Sequence, residues 1–165
     1  MTGTITRGEP AMNKSAALFL QLMVVLVGIA ALFLLLHEPQ IEGRNAHATQ
    51  FEIYFNDPFL VYAYTAAIPV FVALYQAFKV LGHVRQGNSF SPGSVKAMRT
   101  IKHCAMAVIG FLVGGEAWLF LYMSGKDDIA GGVAIGLFFI LVFTGTAAIA
   151  AMFERHLRNA VAAAP

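Results

Sequence analysis

Four long apolar runs constrain the fold of this chain more than any other feature of its sequence. They cover residues 16–36, 59–81, 104–123 and 129–153. Each provides the roughly 20 residues that a helix needs to cross the hydrocarbon core of a bilayer. Runs such as "VAIGLFFILVF" are apolar on every face, whereas strands of a membrane β-barrel alternate apolar and polar residues. The sequence therefore predicts an all-α polytopic membrane protein, a four-transmembrane-helix bundle.

The composition excludes a soluble domain and several function classes. Of the 165 residues, 58% are hydrophobic and only 12% are charged, whereas about a quarter are charged in soluble domains. The net charge of +2 is too small to indicate nucleic-acid binding, so we expect no direct contact with nucleic acid. Cys104 is the single cysteine, which excludes an intramolecular disulfide.

Lysine and arginine residues are distributed unevenly between the two sides of such a bundle. With four spans, both termini and the loop between the second and third spans lie on one side. That side holds nine of the eleven cations, namely Arg7, Lys14, Lys79, Arg85, Lys96, Arg99, Lys102, Arg155 and Arg158. Because cytoplasmic segments carry the excess of Lys and Arg, we predict that both termini are cytoplasmic.

The same boundaries predict one transmembrane domain over residues 15–160. Residues 1–14 contain turn formers without periodicity and are predicted to be a disordered cytoplasmic tail. Residues 37–57 form an extracytoplasmic loop between the first two spans. Residues 82–103 are predicted to be a basic cytoplasmic loop followed by the start of an amphipathic helix.

The basic loop contains the signals of a helix start. Ser91 and Pro92 suit the N-cap and first position of a helix. Lys96, Arg99 and Lys102 then follow at intervals of three residues, which places them along one stripe. The simplest interpretation is that these cations only enforce topology. The functional alternatives are contact with anionic lipid headgroups or docking of a cytoplasmic partner.

Glu116 is the only acidic residue well inside a predicted span. Pro69 removes a helical hydrogen bond to the Thr65 carbonyl and is predicted to kink the second span. Thr65 and Glu116 are predicted to lie at the same depth, with Tyr62 one turn above. A neutral Glu116 can donate to the freed carbonyl. This candidate polar site is either a structural link or a pH-responsive or ligand-contacting site that opens through Gly114 and its neighbour.

Other residues within the spans predict contacts between helices. Gly110 and Gly114 lie four residues apart on the third span, as do Gly132 and Gly136 on the fourth. Such spacing allows helices to approach closely, so we assign all four to helix packing. Gln21 is the only strongly polar residue inside the first span. It either contacts a neighbouring helix or reaches the headgroups, and we favour the headgroups.

The stretch "FSPGSVKAMRTIKHCA", which follows "LYQAFKVLGHVRQGN", resembles the bacterial membrane proteins grouped as domain of unknown function 2975. The resemblance extends from about residue 60 to residue 161, and its most specific part is Phe-Ser-x-x-Ser-Val-Lys-x-x-x-x-Ile. It implies a small four-helix protein of the bacterial inner membrane. The family offers no catalytic residues to transfer. Its members are often encoded beside a small helix-turn-helix regulator, which implies a signalling or stress-linked role.

The sequence contains no catalytic motif, neither GxSxG, HExxH, a phosphate-binding glycine loop nor a cysteine pair. His37 and His47 have long, irregular spacing, so we expect no metal site and no cofactor. We predict a non-enzymatic sensor or regulator that acts through helix contacts with a membrane or cytoplasmic protein partner. A small transporter or proton-coupled carrier that uses Glu116 is the alternative, and a lipid-modifying enzyme ranks third. The sequence implies no particular oligomeric state.

Overall fold

The computed structural model describes residues 14–41, 49, 51, 58–123 and 129–163. Within these residues the chain forms four long helices: α1 (Lys14–Ile41), α2 (Pro58–Arg85), α3 (Pro92–Trp118) and α4 (Ala130–Ala162). A five-residue π-helix, Leu119–Met123, continues α3. The predicted tail before Lys14 and most of the predicted loop between α1 and α2 lie outside the described residues.

All four predicted spans are confirmed as helices long and apolar enough to cross a membrane. The helices extend beyond the apolar runs, because a helix does not stop where its side chains become polar. α1 continues through His37 to Ile41, into residues that the sequence assigns to a loop. α3 begins at Pro92, so the whole basic stripe is helical. Pro69 lies inside the continuous helix α2, and the kink at that position stays a prediction.

Each helix packs mainly on the next helix in the chain. The contact between α3 and α4 is the most extensive, followed by those of α2 with α3 and of α1 with α2. Successive helices run antiparallel, because the start of each packs against the end of its neighbour. Lys14, Arg85, Pro92 and Ala162 therefore lie at the same end of the molecule, which we call the basic end.

α3 is the central helix and its buried face is made of small residues. Its buried positions recur every three or four residues, as expected for one face of a helix: Ser94, Ala97, Ile101, Ala105 and Val108. Small side chains let membrane helices approach closely where the hydrophobic effect supplies little attraction between them. Large apolar side chains instead cover the outer faces of α1 and α4, where they meet lipid.

α1 is held against α2 by a polar contact at each end. At the basic end Gln21, which is 5% exposed, donates from Nε2 to the carbonyl of Phe78 at 3.1 Å. Toward the other end the Tyr64 hydroxyl donates to the carbonyl of Leu35 at 3.2 Å. The expectation that Gln21 reaches the headgroups is therefore wrong. Its amide is close enough to α2 to bond there, and a buried amide needs such a partner.

Candidate functional site

The most highly charged contact in the described chain joins α3 to α4 at the basic end. Glu154 of α4 is 5% exposed, and both of its carboxylate oxygens accept hydrogen bonds from α3. Arg99 Nε lies 2.8 Å from Oε1, and Lys102 Nζ lies 2.6 Å from Oε2. Because Arg99 and Lys102 are three residues apart, they project from one face of α3 toward the same carboxylate. We call these three residues the Glu154 cluster.

The sequence predicts the basic stripe as one surface, but the Glu154 cluster engages only two of its three cations. Lys96 is exposed, while Arg99 and Lys102 are engaged with Glu154. The Arg99 side chain is still 52% exposed, so part of its guanidinium faces outward and has donors to spare. Contact of the stripe with anionic lipid or with a partner stays a prediction.

Glu154 is the candidate site residue that sequence reasoning missed. The predicted cytoplasmic side has nine cations and only two acids, Glu9 and Glu154. An acid so outnumbered by cations signals an ion pair. Its spacing is a second signal. Ala150, Glu154 and Leu157 are all buried and recur every three or four residues, so Glu154 lies on the face of α4 that packs against α3.

A second polar contact joins the end of α2 to the start of α3. Ser91 is confirmed as the N-cap of α3, since its Oγ accepts from the Ser94 amide at 3.2 Å. The Ser94 hydroxyl is fully buried and lies 3.0 Å from Ser91 Oγ and 3.1 Å from His83 Nδ1. The two serines of the specific Phe-Ser-x-x-Ser pattern therefore cap α3 and tie it to α2.

Glu116 packs against α4 and not against α2. Gly136 lies so close to Glu116 Oε1 that a Cβ at position 136 would overlap the carboxylate. Glu116 Oε2 is buried without a hydrogen-bond partner among the described residues. Thr65 is exposed, and its hydroxyl donates to the Val61 carbonyl within α2 at 2.8 Å. The predicted hydrogen bond from Glu116 to the Thr65 carbonyl is thus not formed.

The helical repeat explains this difference. Tyr62 of α2 donates to the Phe111 carbonyl and stacks edge-on against the Phe111 ring, with 5.4 Å between ring centroids. The Tyr62 hydroxyl also covers Gly114, where a Cβ would meet it at 2.7 Å. Residues 111 and 114 thus mark the face of α3 toward α2. Successive side chains turn by about 100°, so Glu116 points away from that face. The predicted common depth of Thr65 and Glu116 therefore did not imply contact between them.

The four glycines assigned to helix packing have different surroundings. Gly114 and Gly136 are in close contact with Tyr62 and Glu116, as described above. A Cβ at Gly132 would meet Leu119 Cδ1 at 3.5 Å, an ordinary contact, and a Cβ at Gly110 would meet nothing within 4 Å. Within the described chain the predicted packing role therefore holds for Gly114 and Gly136. It does not hold for Gly110, which lies on a face of α3 that no neighbouring helix covers.

A cavity of about 330 Å³ lies between α2 and α3, at the end opposite the basic end. Its lining is mostly apolar and includes Pro58, Tyr62, Gly114, Gly115 and Trp118. The two glycines leave space there, as the sequence predicts. The carboxyl of Glu116 is on the other side of α3, so this cavity and the buried acid are separate features.

No group of three or more His, Cys, Asp or Glu side chains that could hold a metal ion occurs in the described part of the chain. His37 stacks on Phe33 with ring centroids 5.0 Å apart. His47, with which the sequence predicts no shared metal, lies outside the described residues. Cys104 is a free cysteine of intermediate exposure.

The fold and its contacts define a polytopic membrane protein whose four antiparallel helices are tied together by polar groups. The chain belongs to the family described as "Protein of unknown function (DUF2975)", whose model matches residues 43–164. It is similar to the uncharacterized membrane protein YoaS of Bacillus subtilis (strain 168), with 34% identity over 151 residues, which cover 91% of this chain and 94% of the relative. The resemblance seen in the sequence is thereby confirmed. No solved structure matches the chain.

Proposed function

We propose that this chain is a non-enzymatic protein of the bacterial cytoplasmic membrane that acts as a sensor or regulator through contacts with a protein partner. The observation that carries the proposal is the Glu154 cluster. It connects α3 and α4, the two helices with the most extensive contact, and its cations reach the surface at the basic end. A partner bound at that end can therefore change how the two helices are tied together.

The exposure of Arg99 supports this mechanism. Only its Nε is bonded to Glu154, and a guanidinium has further N–H donors that can bind a carboxylate on a partner. A partner carboxylate bound to Arg99 either competes with the hydrogen bond from Arg99 to Glu154 or reinforces it. A ligand shifts a conformational equilibrium only through such differential contacts with the two states. The cluster supplies a contact of this kind.

The proposed location follows from fold and charge. Outer-membrane proteins that span the bilayer are closed β-barrels, whereas this chain has four apolar helices and its relative YoaS is called a membrane protein. Nine of eleven cations lie on the side of both termini, which favours a cytoplasmic basic end. A reporter fused after Pro165 should be active in the cytoplasm, and activity only outside it would refute this orientation.

Gene deletion and complementation test the regulatory role. We expect deletion to change a reproducible set of transcripts or membrane proteins, and the parent chain to restore them. Glu154→Gln removes the charge that both cations bind. At the same abundance in the membrane as the parent chain, we expect this variant not to restore the transcripts or membrane proteins. Arg155→Gln is the matched control, because Arg155 is exposed beside the cluster. We expect this variant to complement the deletion fully. Deletion without effect under any growth condition refutes the regulator, and full complementation by Glu154→Gln refutes the cluster as its working part.

Photo-crosslinking in membranes identifies the partner. A photoreactive residue at exposed position 96 lies next to the cluster, and one at exposed position 138 lies on the lipid-facing side of α4. We expect one dominant protein adduct from position 96, weakened by Glu154→Gln, and mainly lipid adducts from position 138. The same protein profile from both positions would contradict a partner site at the basic end.

A proton-coupled carrier is the second candidate, and one observation favours it. Glu116 Oε2 is buried without a hydrogen-bond partner in the described part of the chain, and buried ionisable groups in membrane helices often mark proton or ion pathways. Purified protein in vesicles that enclose a pH-sensitive dye should then conduct protons, and Glu116→Gln should abolish the flux because glutamine cannot ionise. Equal flux from both proteins, or none from the parent, refutes the carrier and leaves the regulatory proposal untouched.

A further inference from the structure

A groove between α1 and α2 at the basic end belongs to neither of the sites described above. It encloses about 450 Å³ and runs along the first turns of α1 and the last turns of α2. Its apolar lining comes from Leu18, Leu22 and Val25 of α1 and from Phe78 of α2. Its cationic lining comes from Lys79 and Arg85 of α2. We call it the α1–α2 groove.

The base of the groove is formed by a contact between Gln21 and α2. Gln21 is buried there, and its amide donates across to the carbonyl of Phe78 at 3.1 Å. Gly82 permits this close approach, because a Cβ at that position would lie 3.3 Å from Gln21 Nε2. One hydrogen bond of the Gln21 amide is thus already engaged in holding the two helices together. Recognition of a ligand falls to the cations above and to the apolar wall.

The cations of the groove differ from those of the Glu154 cluster in their pairing within the described chain. Lys79 and Arg85 are exposed and form no ion pair within the described residues, in contrast to Arg99 and Lys102, which share Glu154. The Lys79 ammonium lies 5.6 Å from the centroid of the Tyr75 ring, a cation–π contact that leaves its N–H donors free for an acceptor. The groove therefore presents unpaired positive charge beside an apolar surface.

The depth of these groups matches the boundary between headgroups and acyl chains. Gln21 is seven residues from the start of α1 and Lys79 is six residues from the end of α2, which is about 10 Å along each helix. Headgroup regions occupy about 5–8 Å on each side of the hydrocarbon core. Leu18, Leu22 and Val25 recur every three or four residues and continue the apolar wall toward the bilayer centre.

From this combination we propose that the α1–α2 groove binds an anionic glycerophospholipid. The phosphate and headgroup lie between Lys79 and Arg85, and one acyl chain follows the leucine and valine side chains of α1. Basic pockets between membrane helices on the cytoplasmic side bind lipid headgroups in this manner. The lipid fills the space between two helices that are joined by the hydrogen bonds of Gln21 and Tyr64. It thereby fastens α1 to the rest of the molecule.

Binding of phosphatidylglycerol to the purified full chain tests the proposal. Native mass spectrometry from detergent, and exchange of a fluorescent phosphatidylglycerol, report occupancy and affinity. We expect phosphatidylglycerol to bind more tightly than zwitterionic phosphatidylcholine. Each cation near the surface contributes about five-fold in affinity, so Lys79→Gln combined with Arg85→Gln should weaken binding about 25-fold.

Two controls separate this site from general attraction of anions. Arg155→Gln combined with Arg158→Gln removes the same charge from exposed positions at the same end but outside the groove, and it should retain the parent affinity. Leu22→Trp fills the apolar wall while leaving both cations, and it should also lose the lipid. Size-exclusion chromatography verifies that each variant is folded.

Four outcomes would overturn the proposal. Equal losses in the two double variants would show that any surface cation attracts the lipid. Unchanged binding in Leu22→Trp, or displacement of the lipid by glycerol 3-phosphate at equal concentration, would show that the site recognises phosphate without an acyl chain. Equal affinity for phosphatidylcholine would remove the role of the cations.

Discussion

Substitution of Glu154 by glutamine should destabilise the protein more than any other single change at the basic end. Glutamine keeps the size of the side chain but removes the charge that two cations bind at 2.8 and 2.6 Å. Hydrogen bonds to charged groups contribute about 1.5–3 kcal/mol each, and loss of one partner from a buried ion pair costs about 3–5 kcal/mol. Arg99 is half exposed, so water replaces much of its bond. We therefore expect a loss of about 2–4 kcal/mol in the free energy of unfolding.

The two cations should contribute unequally because their exposure differs. The Arg99 side chain is 52% exposed and the Lys102 side chain 26%. Arg99→Gln should therefore cost only about 0.5–1 kcal/mol, and Lys102→Gln about 1–2 kcal/mol. Combining Glu154→Gln with Lys102→Gln should cost less than the sum of the single changes, with a coupling free energy of about 1–2 kcal/mol.

Unfolding in mixed micelles with increasing sodium dodecyl sulfate measures these free energies, and Arg155→Gln provides the control. Arg155 is exposed beside Glu154, so its substitution should change stability by no more than about 0.5 kcal/mol. The reasoning is refuted if Glu154→Gln is as stable as this control. It is also refuted if the changes at Glu154 and Lys102 are additive, because the carboxylate and the ammonium would then not interact.

Three further predictions concern contacts in the rest of the molecule. Gly136→Ala should lower the melting temperature in detergent by several degrees, because the new methyl group overlaps the Glu116 carboxyl. Gly110 has open space around it, so Gly110→Ala should leave the melting temperature unchanged. Tyr62→Phe should cost about 1 kcal/mol in mixed-micelle unfolding, since it removes only the hydrogen bond to the Phe111 carbonyl, and a neutral result would mean that this bond contributes nothing. Ser94→Ala breaks the hydrogen bonds to Ser91 and His83. It should therefore lower the free energy of unfolding by about 1–2 kcal/mol and increase hydrogen exchange at the start of α3. Unchanged exchange would contradict a role of Ser94 in holding α2 to α3.

The fold was predictable because lipid imposes a simple rule on backbone and side chains. In lipid, the backbone N–H and C=O groups of a run such as residues 129–153 must form hydrogen bonds within that run. The length of the apolar run alone therefore predicts a helix. Ser91 and Pro92 identified the start of α3 because capping depends only on nearby residues. The helix ends were less predictable. α1 continues to Ile41 past polar residues, since exposed helix does not require an apolar sequence.

The candidate sites were predictable only in part, because contacts between helices depend on rotation about each axis. The sequence identified Glu116 and Tyr62 as candidate polar residues, but a predicted depth did not indicate that the acid faces Gly136. It identified Arg99 and Lys102 as members of a basic stripe, but it did not identify their acceptor Glu154, which is 52 residues beyond Lys102 in the chain. The burial of Glu154 becomes evident only once α4 is packed against α3.

The serial packing of the helices also affects how the chain is assembled. α1 packs on α2, α2 on α3 and α3 on α4, and no other pair of described helices forms a contact of comparable extent. Such local order keeps loop-closure entropy small and favours rapid folding. During synthesis each new helix can dock on its predecessor as soon as it enters the bilayer. Glu154 is near the end of the last helix, so its bonds to Arg99 and Lys102 form only after all four helices have been translated, and they complete the assembly.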